Sequence, residues 1–261
     1  MAKRDTSYEI WMRQEAIPVV EGYGVEDVTQ LALQPWQRTG GKGAFIDLKG
    51  MEGFTGMYVS EIPAGGALNA ENHLYEELIY IIKGVGATEL WSAGEEKRKM
   101  HFEWQQGSLF AIPLNTRHRM INGSKEPVFF LAVTSAPLMI DLLHNMPFVM
   151  GSDYKFGDRF DAESNYFVPT NWRKELGGFI NWETNFIADA RGALVDPSEA
   201  KGFGVKITSF DMGGSTLVGH IAEWPVGRYH KAHFHQGGAI LLILRSQGYT
   251  LMWPQEAGLR P

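Results

Sequence analysis

Residues 65–84 read GGALNAENHLYEELIYIIKG, and this stretch decides how the rest of the chain is interpreted. Glycines lie at both ends, and an apolar run of strand length follows Glu77. Residues i and i+2 of an extended chain point to the same side, so Glu71 and His73 face one side together. Glu77 can share that side if it follows a turn. The stretch therefore combines a predicted strand with three side chains that can bind a metal ion.

A second stretch, GSLFAIPLNTRHRMIN at residues 107–122, contributes a histidine from a separate predicted strand. Two imidazoles and two carboxylates suit Fe(II), Mn(II) or Zn(II), and soft Cu(I) much less. We therefore predict that one divalent transition metal is bound by Glu71, His73, Glu77 and His118. In the alternative interpretation, Glu71 points into solvent and the two histidines are merely hydrogen-bonded inside the protein.

Short apolar stretches recur between Gly and Pro turn signals from residue 43 onward. Many evenly spaced short strands are typical of an all-β barrel or sandwich. The predicted strands are Ala44–Leu48, Thr55–Ile62, Glu77–Ile82, Ala87–Trp91, Ser108–Ile112 and Val128–Thr134.

The spacing of these residues resembles the two conserved motifs of the cupin superfamily, G-x5-H-x-H-x3-E-x6-G and G-x5-P-x-G-x2-H-x3-N. Glu71 stands in place of the first histidine, and Asn115 replaces the middle glycine of the second motif. The matching residues are Gly65, His73, Glu77 and Gly84, then Gly107, Pro113, His118 and Asn122. The resemblance implies an all-β, double-stranded β-helix (jelly-roll) cupin barrel that binds a metal.

An internal repeat indicates that the barrel is duplicated. With an offset of 162 residues, residues 57–91 align with residues 219–253 without a gap, and nine of the 35 pairs are identical. The counterpart of His118 would fall at residue 280, beyond Pro261. The predicted second barrel is therefore incomplete. We expect the sequence to be a truncated version of a longer chain, the alternative being that another chain supplies the missing strands.

The second copy keeps part of the metal-binding pattern. His233 and His235 occupy the histidine positions of the first motif, but Ala239 replaces the glutamate. These two histidines are predicted to be metal ligands of the second barrel. Two interpretations are open: a three-histidine site, similar to that of gentisate dioxygenase-like and cysteine dioxygenase-like cupins, or a site that has lost its metal.

Four segments are predicted from these patterns. They are an N-terminal arm (1–42), a cupin barrel with the metal site (43–150), a connector (151–202) and a partial second cupin barrel (203–261).

Composition excludes several classes of function. The formal net charge of −6 argues against a nucleic-acid partner, because such affinity usually comes from Lys and Arg on phosphates. The absence of cysteine excludes disulfides and thiol chemistry. There is no signal-peptide pattern, and no run approaches the roughly 20 apolar residues of a membrane helix. We expect a cytoplasmic protein with a small-molecule substrate and no membrane partner, and the resemblance implies a homo-oligomer.

The resemblance also implies a chemistry, since two-barrel cupins include gentisate 1,2-dioxygenases and oxalate decarboxylases. We predict a metal-dependent oxidoreductase of dioxygenase type acting on a small aromatic or oxo-acid substrate. The alternative is a non-redox metal-dependent isomerase or lyase, or a small-molecule-binding cupin without turnover. No catalytic residue beyond the metal ligands and no substrate-binding residue is assigned. Arg117 and Arg119 flank His118 and are expected to face outward.

Overall fold

The structure is a computed structural model that describes residues 4–198, 202–233, 235, 238–253 and 258. Strands dominate these residues. The helices are α1 (Ser7–Gln14), α2 (Ala136–Leu143) and α3 (Met146–Val149), with a 3-10 turn at Val28–Gln30. The strands are β1 (Val19–Gly22), β2 (Gln34–Pro35), β3 (Lys42–Leu48), β4 (Gly56–Ile62), β5 (Glu77–Lys83), β6 (Val85–Trp91), β7 (Met100–Gln105), β8 (Leu109–Ile112), β9 (Arg117–Ile121), β10 (Val128–Thr134), β11 (Trp172–Leu176), β12 (Phe179–Glu183), β13 (Phe186–Ile187), β14 (Lys206–Asp211) and β15 (Gly219–Glu223).

Two sheets build the first barrel. The larger has the strand order β1-β3-β4-β10-β5-β8-β13, with β2 also paired to β3, and the smaller has the order β7-β6-β9. The interior side chains of both sheets belong to one hydrophobic core that includes Ile79, Leu90 and Phe130. The predicted all-β fold of cupin type is confirmed.

Strand β5 is buried on both of its faces, which explains its uninterrupted apolar sequence. Ile79 and Ile81 point into the barrel core, whereas Leu78 and Tyr80 pack with Phe210 in a second core cluster. Strands covered on both sides read as continuous apolar runs rather than as alternating patterns. Each large side chain buried there contributes about 1.5–3 kcal/mol through the hydrophobic effect. The outer face of the barrel is thus the surface on which the second sheet packs.

The second sheet repeats the strand pairing of the first barrel. Its order is β11-β12-β14-β15, with β12 parallel to β14 and β14 antiparallel to β15. In the first barrel, β1 is likewise parallel to β3, and β3 is antiparallel to β4. The offset of 162 places β12, β14 and β15 on β1, β3 and β4. The internal repeat is therefore visible as repeated topology.

The repeat fades after β15. The aligned repeat extends to Trp253, but the described residues between 224 and 253 contain no strand. Leu241 and Ile243, which align with inward-facing positions of β5, are about three-fifths exposed. In the first barrel β5 lies between β10 and β8. Within the described residues, the segment that aligns with β5 pairs with no strand.

The N-terminal helix packs onto the first barrel beside α2. A capping box between Thr6 and Glu9 starts α1, and the Tyr8 backbone N–H donates to the Asp141 carboxylate of α2 at 2.8 Å. Trp11 of α1 and Trp36 both pack edge-on against Phe45 of β3. These contacts fix the segment that follows Trp36 at one end of the barrel.

No helix in the described part of the chain has both the length and the apolar character that crossing a bilayer requires.

Candidate metal centre

Three predicted ligands converge inside the first barrel. His73 lies in the loop before β5, Glu77 is the first residue of β5, and His118 lies on β9. Their side chains are almost fully buried, with residue exposures of 2%, 1% and 4%. One donor atom from each lies within 4.8 Å of the other two, so the three residues could hold a metal ion.

Backbone carbonyls orient both imidazoles. His73 Nδ1 lies 2.9 Å from the carbonyl oxygen of Tyr75, and His118 Nδ1 lies 3.0 Å from that of Thr116. Because a carbonyl oxygen can only accept, each Nδ1 carries the proton and each Nε2 is left with a free lone pair. These hydrogen bonds to the carbonyls fix the tautomer in which each Nε2 is able to bind a metal. The Tyr75 ring also stacks on His73 with 3.7 Å between centroids.

A buried tyrosine orients the carboxylate. Tyr58 of β4 donates its hydroxyl to Glu77 Oε1 at 2.5 Å. The other oxygen, Glu77 Oε2, lies 3.4 Å from His73 Nε2 and 3.7 Å from His118 Nε2. Tyr58 therefore occupies one carboxylate oxygen and leaves the second directed at both histidines.

The donor atoms fit a metal ion. His73 Nε2 and Glu77 Oε2 are buried and make no hydrogen bond within the described residues. Buried polar atoms of this kind are costly unless something satisfies them. Ligands bound at ~2 Å to one ion lie roughly 3 to 3.5 Å apart, which is close to the distances seen here. The residues present thus suit one divalent cation.

Burial and mutual proximity shift the pKa values of the three groups. Burial alone would raise the pKa of Glu77, but His73, His118 and the Tyr58 hydroxyl lower it to about 2. Burial opposes charge on both imidazoles. For His73 the adjacent Glu77 and Glu71 outweigh burial and raise its pKa, whereas burial and the neighbouring His73 lower the pKa of His118. The site thus holds an ionised carboxylate and a neutral His118.

A pair of buried asparagines ties the two ligand loops together. The Asn72 amide donates to Asn115 Oδ1 at 2.9 Å, and the Asn115 backbone N–H donates to the His73 carbonyl at 3.1 Å. Asn115 also donates to the carbonyls of Ser152 and Tyr154. Its φ of 55° explains why the cupin motif has glycine here, because few other residues adopt the left-handed region. The loops carrying His73 and His118 are therefore cross-linked directly.

Glu71, the fourth predicted ligand, lies beside the group of three rather than within it. Its backbone forms an isolated β-bridge with His118, which brings the residue to the site. Its carboxylate, however, is ion-paired with the Arg38 guanidinium. Coordination by Glu71 remains a prediction.

A small cavity adjoins the site. Its volume is about 10 Å³, which is room for about one water molecule. Apolar and hydroxyl or amide side chains line it together with Glu77, His118 and Glu71; among them are Tyr58, Ser60, Asn69, Ile79, Met120 and Phe130.

The arginines beside His118 are engaged in ion pairs. Arg119 lies 2.9 Å from the Glu89 carboxylate, and Arg117 lies 3.4 Å from that of Asp153. Glu76, the neighbour of Glu77, faces away from the site and pairs with Arg159 at 3.0 Å.

The histidines of the second copy lie in a different environment. His233 and His235 are exposed, and their Nε2 atoms are 2.9 Å apart. Within the described residues, neither belongs to a group of three side chains that could hold an ion. Metal binding by these two residues also remains a prediction.

Sequence patterns did not single out Tyr58, Arg38 or Asn72. Tyr58 lies two residues before Ser60 on β4, so strand alternation could have placed it in the barrel interior. Asn72 lies between two predicted ligands and could have been considered as their support. Arg38 precedes the first predicted strand and gives no signal of its own.

Residues 58–134 match the Cupin domain family model (Cupin_2). The matched residues coincide with the first barrel, and the match agrees with the barrel topology and with the motif spacing. No curated protein matches the sequence.

Solved structures similar to this chain include oxalate decarboxylases and a vicilin. The Lactobacillus farciminis oxalate decarboxylase formate complex has a TM-score of 0.36 at 24% identity, covering 42% of this chain and 32% of that one. Oxalate decarboxylase from Bacillus subtilis at pH 4.6 has a TM-score of 0.34 at 18% identity, covering 41% and 27%. Vicilin from Solanum lycopersicum (tomato) has a TM-score of 0.32 at 16% identity, covering 36% and 28%. The matched region spans about a third or less of these chains, and likeness at this level carries no information about activity.

Proposed function

We propose that this protein is a metal-dependent cupin enzyme, an oxidoreductase of dioxygenase type that acts on a small aromatic or oxo-acid substrate. The observation that carries the proposal is the convergence of two imidazoles and one carboxylate, from His73, His118 and Glu77, around one buried point. Two histidines and one carboxylate with open coordination positions are characteristic of non-haem Fe(II) oxygenases. An iron ion bound there would supply redox chemistry with O2 and a template for the substrate.

The chain's own residues support this role by orienting the ligands before the metal arrives. The carbonyls of Tyr75 and Thr116 hold the protons on the Nδ1 atoms, so both Nε2 atoms accept a metal without a change of tautomer. Tyr58 occupies the carboxylate oxygen that faces away from the histidines. Preorganised ligands of this kind lose little conformational freedom on binding.

The cavity beside the ligands is small. Its volume of about 10 Å³ matches one water molecule, so a larger substrate needs the lining side chains to move. Phe130 and Ile79 provide an apolar wall, and the hydroxyl of Ser60 and the amide of Asn69 provide polar contacts. Such a mixture suits a substrate with one apolar part and one polar group.

The same ligand set supports a second candidate function. Two histidines and one glutamate also form catalytic zinc sites, in which the metal acts as a Lewis acid without redox chemistry. A non-redox isomerase or lyase, or a binding protein without turnover, is therefore the alternative. The metal that the protein takes from its own host distinguishes the two classes.

The test is metal analysis of natively purified protein combined with O2-uptake measurements on panels of small aromatic acids and oxo-acids. The proposal predicts about one iron ion per first barrel and O2 consumption that requires both iron and substrate. The His118→Ala variant, which lacks one ligand, should show neither. Zinc as the native metal, with turnover or binding that is independent of O2, would establish the alternative instead.

A further inference from the structure

We propose that Arg38 is a positioning residue that holds Glu71 outside the coordination shell, so that only three protein ligands bind the metal. This inference rests on the proposed metal site of the first barrel. It concerns the position at which the cupin motif carries its first histidine and this chain carries Glu71.

Arg38 is anchored from several sides. Its Nε donates to Glu15 of the turn after α1 at 2.9 Å, and its Nη1 pairs with Glu71. Its guanidinium also lies over the Trp36 ring, 4.6 Å from the centroid. Only 20% of its side chain is exposed. A planar guanidinium held in this way has little freedom to move, so it can fix the orientation of the carboxylate that pairs with it.

Glu71 lies close enough to the site for this restraint to matter. Its backbone N–H and carbonyl are both bonded to His118, at 3.0 and 2.8 Å, which fixes its Cα beside a ligand. Its side chain lines the same cavity as Glu77 and His118. The Glu71 carboxylate is paired with Arg38, and a rotation of this flexible side chain would be enough to make it a fourth metal ligand.

The charges of the cluster favour the arrangement seen. Glu71 and Glu15 share the Arg38 guanidinium. Removing one of these three groups therefore changes the net charge of a mostly buried cluster. Releasing Glu71 to the metal would leave Arg38 with one partner fewer in a low-dielectric environment, where unpaired charges are costly. The consequence for the metal is one additional coordination position open to solvent or substrate.

The test uses Mn2+ as a probe and measures its dissociation constant and the number of water molecules on the bound ion by water-proton relaxation. The key variant is Arg38→Met combined with Glu15→Gln, which removes one charge of each sign and releases Glu71. The matched control adds Glu71→Gln to this pair. Arg173→Met, which removes another partly buried arginine from its carboxylate partner Asp196 in the second sheet, controls for loss of an ion pair. Arg38→Gln is measured in parallel, so that a folding failure of one Arg38 variant leaves the other.

We expect the Arg38→Met/Glu15→Gln protein to bind Mn2+ about tenfold more tightly than the wild type and with fewer bound waters, because changes at residues around the ligands alter affinity on this scale. The variant that also carries Glu71→Gln should return to wild-type values, and Arg173→Met should not differ from them. Identical affinity and hydration with and without the Glu71 carboxylate would overturn the role of Arg38. Failure of the metal site itself has a different signature, since the wild-type protein would then bind no Mn2+, or His73→Ala would bind it unchanged.

Discussion

Glu77 Oε2 lies 3.4 Å from His73 Nε2 in the barrel interior, and neither atom makes a hydrogen bond within the described residues. The other polar atom of each group is hydrogen-bonded. Glu77 Oε1 accepts from the Tyr58 hydroxyl, and His73 Nδ1 donates to the Tyr75 carbonyl. The unsatisfied atoms therefore face each other because the surrounding bonds direct them inward. A cation between them and His118 would complete the arrangement.

Removal of either histidine ligand should abolish metal binding by the first barrel. We expect His73→Ala and His118→Ala each to weaken divalent-metal affinity by more than about 100-fold, beyond the range typical of losing a residue that only hydrogen-bonds to a ligand. The measurement is metal content per chain after dialysis against a defined free-metal concentration. His101→Ala, an exposed position on β7, is the control and should keep full occupancy. Full occupancy in either ligand variant would mean that the ion binds elsewhere.

Tyr58→Phe should weaken metal binding without abolishing it. The substitution keeps the buried ring but removes the hydroxyl that donates to Glu77 Oε1, so the carboxylate loses its fixed orientation. We expect affinity to fall by about tenfold. Isothermal titration with Mn2+ or Zn2+ measures this, and Tyr80→Phe, on the opposite face of the sheet, is the matched control. Equal losses in the two variants would show that the hydroxyl of Tyr58 has no special role.

Substitution of Asn115 should separate its backbone role from its side-chain role. Asn115→Gly tolerates the φ of 55° but loses the amide bonds, which costs about 1–3 kcal/mol through buried partners left unsatisfied. Asn115→Ala loses the same bonds and adds about 1–2 kcal/mol of backbone strain. Urea unfolding of metal-free protein should therefore rank wild type above glycine and glycine above alanine. An alanine variant as stable as the glycine variant contradicts the role given to φ.

Metal affinity should fall at low pH, because metal binding must then release one proton from the protein. The raised pKa of His73 means that this imidazole is protonated below that pKa, and metal binding must then displace the proton. His118, with its lowered pKa, is already neutral in the same range, and Glu77 stays ionised down to about pH 2. We therefore expect a pH-independent dissociation constant above the His73 pKa and a rise of about tenfold per pH unit below it. Calorimetry in buffers of different ionisation enthalpy counts the proton, and an affinity that strengthens as pH falls would exclude this account.

The sequence was sufficient to predict the convergence of His73, Glu77 and His118. The reason is that strand alternation relates nearby residues, and the cupin motif spacing assigns His118, which lies on a separate strand, to the same site. The same rules could not show that Glu71 is drawn toward Arg38. That contact joins two segments whose mutual register depends on the packing of α1 and Trp36 against the barrel.

The second copy shows the opposite limit. The internal repeat aligns β15 with β4, and β15 pairs with β14 as β4 pairs with β3. It also aligns residues 239–245 with β5, where the described chain has no strand. A strand forms only with a hydrogen-bonding neighbour, and a sequence match to β5 does not supply counterparts of β10 and β8. The repeat therefore located segments with strand-like sequence, but it could not show whether each segment has a neighbouring strand to pair with.

Anomalous X-ray scattering from crystals of the metal-loaded protein, recorded at the absorption edge of the bound metal, tests the central claim most directly. We expect one strong peak in the first barrel, roughly 2 Å from His73 Nε2, His118 Nε2 and an oxygen of Glu77. A barrel interior without such a peak, or an ion held only by His233 and His235, would contradict the account.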